Sequence, residues 1–527
     1  MLTVRRAPWC RSIVGGLVVV VVAGLLMVLA SPSAVAVLGA RPPGGSYEAL
    51  SPARIVNTRT GLGVAARGPT RRLVVSAAGR SGVPEAGVSA IAVNVTVTGG
   101  SVPGVVTAYP TDSPGPHTSN VKFLRRQTVS RMAVVPLNGA GQFTLDASAP
   151  AQLVVDVEGY FTSPDAAGTG GLFNPLGPAR IMDSRSRSGP GAPGPGDVSV
   201  MQVTGLGGVP ATGVSAVVIN TTITGPTSAG YVTEYPTGSP LPATSTVNFS
   251  AGETLANRAI VPVGTGGMIN VYNDAGVTPL AIDVSGYFTD DQASSTGGYY
   301  VPVPVSRVAD TRFWQTSSPM STRTLKTQKI AGETCVLSPA RTLCGRVLVP
   351  PITAIPRPIA TLINITAVPK GIGGYLTAFP SDSPIPASSD VSFTNTAAAS
   401  NLTFVSLSSG GEVSVHNSGG FANVVEDVCG YFVLPAVSLS AATFGAQATQ
   451  QQVTRPRPLN SSPAVTQPSA TARPATPPSV PAPSVTAPSV TPPSVTPLSV
   501  APPFIAPRSR SMRPDRHGSH DGHQSDD

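Results

Sequence analysis

Val93-Asn94-Val95-Thr96-Val97-Thr98 alternates an apolar residue with a polar one at every step. A period of two is the pattern of a β-strand, whose successive side chains point to opposite faces. The stretch has two counterparts, apolar runs carrying Asn220-Thr-Thr222 and Asn364-Ile-Thr366. Upstream of each lies an arginine signature: Arg54-Ile-Val-Asn-Thr-Arg59, Arg180-Ile-Met-Asp-Ser-Arg185 and Arg307-Val-Ala-Asp-Thr-Arg312. Downstream, glycine-led runs end in an aromatic–proline pair: Gly104 to Tyr109-Pro110, Gly230 to Tyr235-Pro236, and Gly374 to Phe379-Pro380. Then come Val121-Lys-Phe123, Val247-Asn-Phe249 and Val391-Ser-Phe393. Each copy closes on Asp-Val-x-Gly-Tyr-Phe, ending at Phe161, Phe288 and Phe432.

The spacing marks a triplication. Arg54 to Arg180 is 126 residues and Arg180 to Arg307 is 127, whereas Asn94 to Asn220 is 126 and Asn220 to Asn364 is 144. The third copy therefore carries an insertion between its arginine signature and its asparagine strand. A period this long means repeated domains rather than a solenoid of small units. The copies span residues 46–162, 172–289 and 299–433, joined by links Thr162–Gly171 and Thr289–Gly298. Both links are rich in Gly, Ser, Ala and Asp, the composition of flexible tethers. Turn signals such as Gly82-Val-Pro84, Gly208-Val-Pro210 and Ser113-Pro114 separate the runs, and no apolar period of 3.6 persists within a copy. The expected fold is all-β: three tandem antiparallel β-sandwich domains of jelly-roll type, with a small barrel as the alternative.

Composition agrees. The 527 residues include 55 Gly and 56 Pro, only 11% are charged, and aromatics are held to 5%. Strands, turns and linkers suit those numbers better than long helices, and the core must rest on Val, Ile, Leu and Ala. At the N-terminus, Arg5, Arg6 and Arg11 precede an apolar run from Ile13 to Ala30 and the small-residue site Ala34-Val35-Ala36. That order reads as a signal peptide over residues 1–36; an uncleaved membrane anchor is the rival reading, and the only membrane association expected. Both place the remainder outside the cytoplasm, secreted or at the cell surface. Without the three leader arginines the formal charge falls from +8 to +5. Spread over so long a chain, with no basic stripe, that charge is no footprint for nucleic acid.

Residues 448–527 form a Pro/Ser/Thr-rich tail, expected to be disordered and biased to polyproline II. Its terminal His517, His520 and His523 lack the fixed scaffold that a selective metal site requires, so no metal is assigned. The cysteines suit an oxidising compartment. Cys335 and Cys344 bracket a short loop in the third copy's insertion and read as a disulfide. Cys429, standing where the other copies have Glu158 and Ser285, reads as an unpaired, semi-exposed thiol.

No catalytic constellation emerges, and neither a cofactor nor an enzymatic activity is expected. His117 and His416 occupy non-equivalent positions, and no phosphate loop, zinc-protease motif or calcium loop is present. What recurs is polar. Arg59, Arg185 and Arg312 each follow Asn57, Asp183 and Asp310 by two residues, and Asp156, Asp283 and Asp427 recur in the closing run. Arginine forks on carboxylates would fix each copy's geometry; the alternative is a repeated ligand site. Asn94, Asn220 and Asn364 read as bonding neighbouring backbone. Tyr109, Tyr235 and Phe379, with Tyr231 and Tyr375, are the candidates for stacking on sugar rings, the alternative being that they plug the core.

Taken together, the motifs resemble a repeat module of secreted actinobacterial proteins. The resemblance spans Tyr47 to Phe432 and assigns no catalytic residue. It implies an exported, non-enzymatic, cell-surface or cell-wall-associated array, with wall polysaccharide or peptidoglycan as the candidate partner. A cryptic wall hydrolase and a pure structural spacer are the other readings. The third copy lacks the Gly-Val-Pro turn, so a shared ligand site is least expected there.

Overall fold

The computed structural model describes residues 44–435, apart from 167–169, 187–188, 291–296, 314–318, 339–341 and 396. The leader and the tail lie outside the described residues. The first copy contains β1 (Tyr47–Asn57), β2 (Thr70–Ser76), β3 (Val88–Thr98), β4 (Gly104–Pro110), β5 (Val121–Phe123), β6 (Val129–Pro136) and β7 (Gln142–Thr162). The second contains β8 (Phe173–Asp183), β9 (Val198–Gln202), β10 (Val214–Thr224), β11 (Gly230–Pro236), β12 (Val247–Phe249), β13 (Thr254–Pro262), β14 (Met268–Asn273) and β15 (Leu280–Thr289). The third contains β16 (Tyr299–Asp310), β17 (Thr324–Lys329), β18 (Glu333–Leu337), β19 (Thr342–Val347), β20 (Pro358–Pro369), β21 (Gly374–Pro380), β22 (Val391–Phe393), β23 (Ala399–Ser406), β24 (Glu412–Asn417) and β25 (Ala422–Val433).

Strand order makes the architecture explicit. The second copy forms one sheet β13-β10-β15-β8 and another β12-β11-β14-β9, with antiparallel pairing throughout. Counted from its own first strand, the orders are sixth-third-eighth-first and fifth-fourth-seventh-second. That is the connectivity of a jelly roll, and it leaves the barrel alternative behind. The first copy repeats it with its last two strands fused into β7, which passes from one sheet into the other. The third copy repeats it with β18 and β19 added at the edge beside β16, where Arg307 pairs with Leu337. This hairpin is the insertion, and the Cys335–Cys344 disulfide bridges it.

Each copy has an apolar filling between its sheets. In the first, Ile91, Val93, Val95 and Val97 of β3 face Val106, Phe143 and Leu145. The other face of the same sheet is buried as well. Ala90 and Ala92 turn the opposite way, into a fourth cluster shared by all three copies with Tyr47, Phe161, Phe173, Phe288, Tyr300 and Phe432.

These six rings close a cycle. The first-strand ring of each copy packs, tilted, against the last-strand ring of another: Tyr47 against Phe288 at 4.4 Å, Phe173 against Phe432 at 4.3 Å, and Tyr300 against Phe161 at 4.3 Å. The backbone closes with the same symmetry through bridges Gly45–Tyr300, Gly171–Tyr47 and Gly298–Phe173. Each bridge has two N–H···O bonds of 2.8–3.0 Å. Copies drawn as tethered beads are therefore packed into one compact unit, and the described ends of both links, Gly171 and Gly298, are fixed in its centre. Cys429 lies in this shared cluster at 3% exposure, a correction to its expected semi-exposed position. Its strand runs through the middle of the molecule instead of along a free surface.

Candidate functional site

The closing motif can now be read residue by residue. Its aspartate takes a guanidinium fork from the first arginine of the opening signature. Arg54, Arg180 and Arg307 donate from Nε to Asp156, Asp283 and Asp427 at 2.7–2.8 Å, and from Nη2 to the second oxygen at 3.0–3.3 Å. The second arginine serves a local turn: Arg59, Arg185 and Arg312 each bond back to Asn57, Asp183 and Asp310 through backbone N–H and Nε. Charge assistance from Arg185 holds the Asp183 carboxyl down at about 2. The motif glycine makes room for a ring. A Cβ on Gly159, Gly286 or Gly430 would lie 2.3–2.4 Å from Tyr47, Phe173 or Tyr300.

The recurring asparagines bond backbone, but that of another copy. Asn94 Nδ2 donates to the carbonyls of Ser245 and Thr246, Asn220 to Ser389, and Asn364 to Ser119. A second carboxamide extends the link at two junctions: Asn257 Nδ2 donates to Asn94 Oδ1 at 3.0 Å and Asn401 Nδ2 to Asn220 Oδ1 at 2.8 Å. Polar groups that looked like a repeated ligand site are thus taken up by the copies' own geometry and by the junctions between them.

Three of the five aromatic candidates are corrected by their placement. Tyr109, Tyr235 and Phe379 are 3%, 5% and 2% exposed, too buried to offer a face to a sugar ring. In each glycine-led strand the ring before proline lies on the face opposite the core-filling Val106 and Ala108, Val232, or Leu376 and Ala378, and is covered from outside the sandwich; the Tyr109 hydroxyl donates to Asp146 Oδ2 at 3.3 Å. Tyr231 remains half-buried beside Tyr272, with ring centres 6.2 Å apart, and Tyr375 is 42% exposed.

The three junctions differ chemically. Between copies 1 and 2, Glu158 accepts the Ile260 N–H at 3.0 Å and Glu234 accepts from the Thr221 hydroxyl. Burial lifts their carboxyls to about 8 and about 7. Between copies 2 and 3, the buried Arg258 donates to Asp390, Ser285 Oγ and the Leu402 carbonyl. Between copies 3 and 1 stand the half-buried Lys122 and the buried Arg131. Lys122 Nζ donates to Ser119 Oγ at 2.7 Å and Thr366 Oγ1 at 3.0 Å. Arg131 donates from Nε to the Ser400 carbonyl and from Nη1 to the Ser130 carbonyl.

Open space adjoins this third junction, and copy 2 contributes to its wall. One cleft of about 460 Å³ is lined by Lys122, Arg131, Gln127, Glu253 and Arg312. Another, of about 410 Å³, lies between His117, Arg307, Arg312, Phe313 and the inserted hairpin's Leu337. His117 contributes its carbonyl, which accepts from Arg307 Nη2 at 3.1 Å, while His416 sits in mid-strand opposite Thr377. The two histidines fall in different parts of the molecule, and the arrangement is one of cation-lined recesses.

No protein-family model matches the chain, and no curated protein matches it. Among solved structures, it is similar to one described as "Life in the extremes: atomic structure of Sulfolobus Turreted Icosahedral Virus". The identity is 8% and the TM-score 0.16, covering 75% of this chain and 92% of that one. A second, "The Triple Jelly Roll Fold and Turret Assembly in an Archaeal Virus", matches at 8% identity and TM-score 0.16, covering 73% and 90%. At that TM-score the likeness carries no argument about this chain.

Proposed function

We propose that the chain is an exported, non-enzymatic display protein whose three jelly-roll domains fold as one pseudo-threefold head at the cell surface or cell wall. The observation that carries this reading is the closed six-ring centre with its three backbone bridges. Fixing three copies in one orientation suits a rigid binding or spacing head, whereas independent grips on a polymer would be served by loose tethers. The recurring arginines, aspartates and asparagines support it too, since their bonds hold the head together. The exported location rests on the leader's residue order, as does the exclusion of cytoplasmic partners.

Wall polysaccharide or peptidoglycan is the partner class. With three candidate rings buried, the surfaces offered to glycan narrow to Tyr231 with Tyr272, and to Tyr375. The test is a pull-down of the Val37–Val433 fragment with insoluble peptidoglycan and with wall polysaccharide across a salt series. Retention that resists salt and is lost in the Tyr231→Ala/Tyr375→Ala variant is the expected result. Absence from both fractions would leave a spacer, and turnover of the wall substrate would overturn the non-enzymatic reading.

A further inference from the structure

The three junctions are built on one plan, and one of them departs from it. Register aligns Met132, Arg258 and Leu402 opposite Asn94, Asn220 and Asn364, so the residues one step earlier, Arg131, Asn257 and Asn401, are equivalent. Likewise Lys122, Asn248 and Ser392 occupy the middle of the three short strands β5, β12 and β22. Two junctions thus carry neutral amides or a hydroxyl where the junction of copies 3 and 1 carries two cations. Asn257 and Asn401 complete carboxamide links to Asn94 and Asn220, but Arg131 turns instead to the Ser400 carbonyl.

Arg131 is buried, at 5% exposure, and Lys122 is half-buried. Their bonds run to neutral oxygens, and among the described residues no carboxylate lies within ion-pair distance of either. Asp427 is already forked by Arg307, and Glu253 is held by Gln127 Nε2 at 2.8 Å and the Ser250 N–H at 2.8 Å. A buried charge without a counter-charge is costly, and it is resolved by neutralisation or by an incoming ion. Here there is room for the ion, because Lys122 and Arg131 line the same cleft of about 460 Å³, together with Arg312, which is already paired with Asp310, and Glu253, whose charge also acts on Arg131.

We propose that this cleft is a single oxyanion site, in which Lys122 and Arg131 bind a phosphate or carboxylate group. Two cations of different geometry suit such a ligand, the guanidinium offering planar paired donors and the ammonium a point charge. Desolvation, together with the neighbouring Arg307, Arg131 and Arg312 charges, pulls the empty-site Lys122 ammonium down to about 7, against the opposing pull of Asp427. An anion reverses that shift, so binding takes up a proton near neutrality and strengthens as pH falls through 7. The inference is independent of the display role, since the site would fill whatever the head is attached to.

The test is equilibrium dialysis of the full chain against labelled inorganic phosphate and, separately, labelled acetate at fixed ionic strength in chloride. One equivalent per chain is expected, because only one junction carries the two cations. Which of the two ions is held more tightly identifies the source chemistry. The variant Lys122→Asn/Arg131→Asn copies the second copy's residues and is expected to fold while binding at least roughly tenfold more weakly. If that variant does not fold, the acetate arm decides by itself: affinity must rise as pH falls through 7. Absence of both ions from the native chain, three equivalents per chain, or unchanged affinity in a folded variant would each overturn the site.

Discussion

Glu158, Ser285 and Cys429 occupy one position in three copies and act differently there: Glu158 accepts from Ile260 of copy 2, Ser285 takes the Arg258 guanidinium of its own copy, and Cys429 joins the shared apolar centre. Glu158 shows how far one residue there can set solution behaviour. Its carboxyl, at about 8, binds a proton that the unfolded chain releases near its ordinary value of 4.5. The folded state then holds more protons between those values, so stability is highest at the acidic end and falls as pH rises through about 8. Glu234, raised to about 7 by burial, adds in the same sense. The melting temperature should drop between pH 5 and 8, and Glu158→Gln, which keeps an acceptor for the Ile260 N–H, should flatten the slope. A slope unaltered in the variant would rule out this carboxyl as the source. A second expectation concerns the motif glycine. Gly286→Ala sets a methyl against the Phe173 ring and should cost about 1–3 kcal/mol in denaturant unfolding. The Asp-Val-x-Gly-Tyr-Phe motif was visible in the sequence, but its use was not. Spacing could not tell which of two arginines meets the aspartate, because that depends on which backbone runs antiparallel beside it.

Among the elements, alternation in β3 identified a strand correctly and said less about its second face. A period of two usually marks one apolar and one wet face. Here Asn94, at 1% exposure, bonds the Ser245 and Thr246 carbonyls of another copy. No local pattern distinguishes a polar residue facing water from one facing a neighbour's carbonyls. The aromatic–proline pairs raised the same ambiguity, and their burial resolves it. The inserted hairpin of β18 and β19 was legible in both position and disulfide, because an unequal repeat spacing and two nearby cysteines are local facts. Its attachment through Arg307 and Leu337 is slight, so it should open independently of the rest. Cys335→Ser/Cys344→Ser should cost about 2–3 kcal/mol of hairpin stability by loop closure. The expected readout is faster proteolysis within residues 333–347, with the main unfolding transition unmoved. A fall in the main transition would mean that the hairpin supports the core.

On the scale of the whole molecule, the triplication was plain in the sequence, while the ring it closes was not. The rings at Tyr47, Phe173 and Tyr300 precede the arginine signatures, and those at Phe161, Phe288 and Phe432 end the copies. Each pair could equally have capped its own sandwich. The contact that matters is between copies, and sequence separation conceals it. Phe288→Ala should remove about 3–5 kcal/mol and lower the stability of all three copies together, because its ring touches Tyr47 and Phe161 of copy 1 and Phe432 of copy 3. The most direct test of the shared centre is to cut the chain between copies. With protease sites placed in the links Thr162–Gly171 and Thr289–Gly298, both links are cleaved in the native state and the product is sized by analytical ultracentrifugation without denaturant. The closed centre predicts a single particle with the mass of the uncut head, separating into three fragments only on unfolding. Fragments of one copy each, sedimenting apart under native conditions, would contradict it.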